Sequence, residues 1–85
     1  AVPENGRSLT VYTTLPAMQL YTANYIRDSF TFVGKDGAAY DHPYCGLCLE
    51  TQHYPDAIHQ PHFESYVLRP QDKYDTFTIF RFTAE

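Results

Sequence analysis

Lys73-Tyr74-Asp75-Thr76-Phe77-Thr78-Ile79-Phe80-Arg81-Phe82-Thr83 sets Tyr74, Thr76, Thr78, Phe80 and Phe82 against Asp75, Phe77, Ile79 and Arg81. Successive strand side chains point to opposite faces, and β-branched and aromatic residues suit that pleated surface. The run therefore reads as a strand over residues 73–83. Both faces of its end are apolar, which predicts a strand inside a packed sandwich rather than at an exposed edge.

The same alternation recurs upstream, whereas helical periodicity is weak everywhere. Residues 8–15 (SLTVYTTL) read as a strand ended by Pro16. Residues 18–22 (MQLYT) read as a second, with Gln19 and Tyr21 on one side and Met18 and Leu20 on the other. Residues 47–51 give a third, and residues 65–68 a short one before the turn Arg69-Pro70-Gln71-Asp72. Asp36-Gly37 is a strong turn signal, and Phe30 and Phe32 are candidate anchors for the loop around it. Residues 52–64 hold three His, two Pro and two acids with little periodicity, so an ordered loop is expected there. The fold class predicted is all-β, an antiparallel β-sandwich of short strands joined by turns.

At 85 residues the chain is at most one small domain, in which a sizeable core is hard to bury. Eight Tyr and six Phe argue against disorder. They also argue against a free-standing sheet, whose edges and apolar patches would invite association. The composition fits the end of a larger sandwich. Net charge is −4, the pI is near 5.4, and the six Lys and Arg are scattered. No basic patch exists to release counterions, so neither nucleic acid nor an anionic membrane surface is an expected partner. No uncharged stretch approaches the roughly 20 apolar residues of a bilayer span. No secretion signal opens the chain, so a soluble, cytoplasmic protein is the default expectation.

Cys45 and Cys48 have Cys-x-x-Cys spacing, with His42 and His53 near enough to suggest a zinc site. Residues 46–51 read as a strand, however, and odd spacing would place the two thiols on opposite faces. No helix is evident for a redox motif to open. Buried free thiols are the ordinary reading, and no metal or cofactor is expected.

The chemistry-bearing stretch is Leu49-Glu50-Thr51-Gln52-His53-Tyr54-Pro55-Asp56-Ala57, with Gln60-Pro61 behind it. It delivers one carboxylate from a strand end into a segment rich in amides, imidazoles and aromatic rings. A sugar site with a general base has that composition. Five blocks in register extend the match. They are Leu9-Thr10-Val11-Tyr12-Thr13-Thr14-Leu15-Pro16, Met18-Gln19-Leu20-Tyr21-Thr22-Ala23-Asn24, Gly34-Lys35-Asp36-Gly37-Ala38-Ala39-Tyr40, the Glu50 block, and Leu68-Arg69-Pro70 with residues 74–82. Together they resemble the C-terminal third of the aldose 1-epimerase (galactose mutarotase) family across nearly the whole chain.

The resemblance implies that residues 1–85 are the C-terminal portion of one large β-sandwich domain. It implies interconversion of the α and β anomers of aldohexoses such as galactose and glucose. A carboxylate takes the anomeric proton, an imidazolium protonates the ring oxygen, and the opened ring recloses on the other face. The motif match assigns the carboxylate to Glu50 and a sugar-hydroxyl ligand to Gln19. The acid His and the remaining sugar ligands would come from an N-terminal portion, expected as a separate chain. Without it the 85-residue chain is expected to be inactive. Three departures stand out: Ala23 where many relatives have Gly, Cys45 where Ser is common, and His59 where Asn is common. The loop around Arg27-Asp28-Ser29 is also slightly longer.

Each residue has a plainer reading. Glu50 is otherwise a solvated or salt-bridged strand-end carboxylate. As a base it is expected to gain basicity from partial burial among Tyr and Leu. Gln19 is otherwise a loop-anchoring amide, although its donors and acceptor suit a sugar diol. His53, His59 and His62 titrate in the useful range. Loop histidines more often bond locally, and none matches the acid of the family. Tyr21 and Tyr54 are candidates for stacking on a sugar, or for packing with a wet hydroxyl. Asp56 fixes its loop, and Arg69 is expected to pair with a nearby acid. The alternative function is a noncatalytic carbohydrate-binding β-sandwich module using Tyr21, Tyr54 and Gln19. A third is an interaction domain clipped by a metal at Cys45 and Cys48.

Overall fold

The computed structural model describes residues 1–26, 32–37 and 39–84. The loop around Arg27-Asp28-Ser29 and the anchor Phe30 lie outside them. The architecture is all-β. Six strands are described, β1 (Ser8–Thr13), β2 (Ala17–Tyr21), β3 (Phe32–Val33), β4 (Ala39–Tyr40), β5 (Cys48–Gln52) and β6 (Thr78–Thr83), with one 3₁₀ turn at Ala57–His59. They form two-stranded sheets, β1 with β6, β2 with β5 and β3 with β4. No helix among the described residues is long and apolar enough to cross a membrane. The chain divides into two compact units, Ala1–Ala17 with Thr51–Glu85, and Met18–Glu50.

In the first unit β1 and β6 run antiparallel, in a register from Ser8 opposite Thr83 to Thr13 opposite Thr78. Leu9, Val11 and Thr13 share one face with Phe82, Phe80 and Thr78; Tyr12 and Ile79 lie on the other. Ser8 and Thr83 tie their hydroxyls at 2.5 Å at one end. At the other end the Thr14 N–H donates to the Phe77 carbonyl at 3.2 Å, but the Phe77 N–H donates to the Thr14 hydroxyl at 3.1 Å. A side chain has replaced the main-chain acceptor, and Pro16 follows at once. The last strand is accordingly six residues long, not the eleven of residues 73–83. Its apolar faces are also uncovered within this chain, contrary to the packed strand expected. Ile79 is 52%, Phe80 46% and Phe82 75% exposed.

The strand expected over residues 65–68 does not form. Val and Tyr favour strands there, but no ladder partner is present. The Val67 N–H instead bonds to the Ser65 hydroxyl at 3.3 Å, a local competitor of sheet pairing. The turn that follows is present. The Asp72 N–H donates to the Arg69 carbonyl at 2.9 Å, and the Asp72 carboxylate accepts the Arg69 N–H at 2.8 Å. Arg69 thus meets its acid through the main chain; no described ion pair uses its guanidinium. Near the start, an isolated bridge joins Val2 to Arg7 around Asn5-Gly6, with Gly6 at φ 65°.

In the second unit β3 and β4 are antiparallel. The Gly37 N–H donates to the Gly34 carbonyl at 3.0 Å, and Gly37 takes φ 78°, closed to most side chains. The Asp36-Gly37 signal is therefore a real turn. β5 begins at Cys48, so Cys45 precedes the strand and the opposite-face reading of the two thiols does not apply to it. Ala23 follows β2 at φ 57°. Its carbonyl accepts the N–H groups of both Ile26 and Tyr44, each at 3.2 Å. It is 7% exposed and, with Ala57 at 5%, is one of two apolar residues buried among those described.

The left-handed backbone costs an L-residue about 1–2 kcal/mol, and a larger side chain in a filled site costs about 1–3 kcal/mol more. Ala23 already bears the first cost, so Ala23→Val is expected to lower the unfolding free energy of the full-length protein by about 1–3 kcal/mol, the cost of the larger side chain. Ala23→Gly should stay within about 1 kcal/mol of wild type, relief of strain offsetting the lost methyl. Urea unfolding curves of the two variants check this.

Candidate active site

β5 carries Glu50 between Leu49 and Thr51, which are both half-buried, while Glu50 itself is exposed. Period-two alternation explains the difference: neighbours along a strand face opposite sides. The Glu50 side chain makes no hydrogen bond or ion pair with any described residue. Its carboxylate is exposed, with its lone pairs uncommitted among the described residues. The partial burial among Tyr and Leu expected for it is not found among the described residues, and Leu49 faces the other side of β5.

Gln19 sits at the middle of β2 and is exposed. Its Nε2 donates to the Leu20 carbonyl at 3.3 Å, leaving Oε1 and a second N–H without partners among the described residues. β2 and β5 are sheet neighbours. The two candidate residues, far apart in sequence, therefore lie on adjacent strands of one sheet. A carboxylate that accepts a proton and an amide that both donates and accepts are the groups a sugar hydroxyl pair requires.

The histidines and tyrosines are engaged locally. His53 lies 5.6 Å from the Tyr66 ring and 6.5 Å from that of Tyr74. His62 packs on Phe63 at 4.3 Å. His59 bonds through Nδ1 to Asp56 Oδ1 at 2.5 Å, and Gln60 Nε2 donates to the other oxygen of Asp56 at 3.4 Å. Asp56, at φ 56°, opens the 3₁₀ turn, so its role as a loop-fixing residue is plain. Tyr54 stacks on Phe63 at 4.7 Å. The Tyr21 hydroxyl accepts the Tyr25 N–H at 3.2 Å. Tyr21 is half-buried, whereas Tyr54 remains exposed. Cys45 and Cys48 are free thiols, the first half-buried and the second exposed. Among the described residues no three His, Cys, Asp or Glu side chains converge to hold a metal.

One feature of the first unit escaped the sequence reading. The Thr51 hydroxyl lies 2.7 Å from that of Thr78, which lies 3.1 Å from that of Thr13. Alternation marked all three as strand threonines, but nothing local in the sequence pairs residue 51 with residue 78.

Along nearly its whole length the chain is similar to known proteins. The family model described as aldose 1-epimerase matches residues 1–81. Galactose mutarotase of Bos taurus is 48% identical over 80 residues, covering 94% of this chain and 22% of that protein. The Homo sapiens galactose mutarotase gives the same identity and coverage. The aldose 1-epimerase of Escherichia coli (strain K12) is 35% identical over 82 residues, covering 91% of this chain and 22% of that protein. The chain thus spans about one-fifth of the length of these relatives. With the family model matched over all but its last four residues, the chain belongs to the aldose 1-epimerase family.

Proposed function

We propose that this chain is the base-bearing part of a mutarotase, an isomerase that interconverts the α and β anomers of aldohexoses such as galactose and glucose. The observation that carries the reading is the placement of Glu50 and Gln19 on neighbouring strands β5 and β2, both exposed and with polar atoms uncommitted. The names of the relatives, galactose mutarotase among them, support the substrate class.

In this reading Glu50 removes the proton from the anomeric hydroxyl while an imidazolium supplies one to the ring oxygen. C1–O5 cleavage gives the open aldehyde. Rotation about C1–C2 presents its other face, and the reverse proton transfers close the ring. Atoms and protons balance with no redox step. Gln19 orients the sugar through its Oε1 and free N–H. The acid comes from polypeptide beyond these 85 residues, since no His here matches the motif of the family's acid. The same polypeptide covers the apolar face of Phe80 and Phe82 and gives Glu50 the drier surroundings that a base working near neutrality needs.

Polarimetry of freshly dissolved α-D-galactose tests the reading. The full-length protein accelerates the decay of rotation over the buffer blank, and the 85-residue chain alone does not. Glu50→Gln in the full-length protein should lower kcat by about 10²–10⁴-fold. Turnover at the wild-type rate would remove Glu50 from the base role. Gln19→Ala should raise KM several-fold while leaving measurable turnover. Unchanged kinetics would make Gln19 a structural amide. A full-length protein that binds galactose without changing the mutarotation rate would instead be a carbohydrate-binding module.

A further inference from the structure

The hydroxyls of Thr51, Thr78 and Thr13 form a chain with one consistent direction. Thr13 Oγ1 donates its proton to the Phe77 carbonyl at 3.2 Å, because a carbonyl can only accept. The same oxygen accepts the Leu15 N–H at 3.1 Å. With its proton spent, Thr13 acts as acceptor toward Thr78, so Thr78 donates across the 3.1 Å contact. Thr78 in turn has no proton left for Thr51, and Thr51 donates across 2.7 Å. The order is Thr51 to Thr78 to Thr13 to the Phe77 carbonyl. Head-to-tail hydroxyls of this kind polarise and strengthen one another. The first two links are half-buried, where water competes poorly.

Thr51 is the residue after Glu50, and adjacent strand residues face opposite ways. A rotation of β5 about its own axis, or a slip along it, would break the Thr51–Thr78 bond and swing the Glu50 carboxylate by a comparable amount. Thr78 and Thr13 are themselves locked opposite one another in the β1–β6 ladder. We infer that Thr51 and Thr78, anchored on Thr13, are positioning residues for the general base. They fix the strand from which Glu50 projects without touching the sugar. The inference rests on Glu50 being the base, as proposed above.

The test uses the full-length protein and the polarimetric assay, with unfolding curves measured alongside. Thr78→Val keeps the branched shape and removes the hydroxyl. It is expected to lower kcat on the order of 10-fold, since a misplaced catalytic group is costly, while KM for galactose stays within about two-fold. Thr78→Ser, which restores an Oγ, should recover most of the loss. Thr51→Val should match Thr78→Val, and the double variant should be no worse than either single one, because both cut the same link. Should Thr78→Val fail to fold, Thr51→Val with Thr51→Ser rescue decides alone, as Thr51 lies outside the β1–β6 ladder. Wild-type kcat in the valine variants overturns the inference. So does a serine variant as slow as valine, additive losses in the double variant, or a loss that only follows the folded fraction. Glu50→Gln separates the two levels. If it retains turnover, the base assignment falls and the positioning role falls with it. If it is inactive while both valine variants keep normal kcat, the base stands and the hydroxyl chain is refuted.

Discussion

The pairing of β1 with β6 is the constraint on which the first unit depends. It joins residues as far apart as Ser8 and Thr83, 75 positions along the chain. Such a contact must overcome the entropy of closing a long loop before it returns any free energy. Six backbone pairs, hydroxyl ties at both ends and the Leu9–Phe82 and Val11–Phe80 side-chain contacts across the ladder provide that return. Residues 51–77 owe much of their placement to it. Thr51 is held on Thr78, and the Phe77 main chain is held on Thr14.

A two-stranded ribbon is marginal in water unless a third element covers it. Here the aromatic face is open, with Phe82 three-quarters exposed. Only two alanines are buried apolar residues among those described. The area argument for stability, about 25 cal/mol per Å² of apolar surface removed from water, therefore has little to act on inside this chain. The described residues therefore supply little of the apolar burial that would hold these strands.

Much of the fold was legible because it is local. Period-two alternation located β1, β2 and β5 to within a residue or two, and Asp36-Gly37 and Arg69-Pro70-Gln71-Asp72 declared their turns by residue type. Asn5-Gly6 carried an equally good turn signal and was passed over; it closes the Val2–Arg7 bridge. The failures were non-local. Residues 65–68 and 73–77 have the composition of strands, but a strand exists only where a partner lies opposite, and composition is silent on partners. Of the candidate site, Glu50 and Gln19 were named from their motifs, and the pairing of their strands came from the structure. The threonine chain was invisible because it is defined by distances between residues 13, 51 and 78.

The bond from His59 to Asp56 also settles which hydrogen the imidazole keeps. An ionised carboxylate can only accept, so in neutral His59 the proton resides on Nδ1 and the lone pair on Nε2. The side chain is about three-quarters exposed, so that lone pair faces water. By that tautomer neutral His59 offers the solvent an acceptor alone, so the outer surface of the 3₁₀ turn presents a lone pair there.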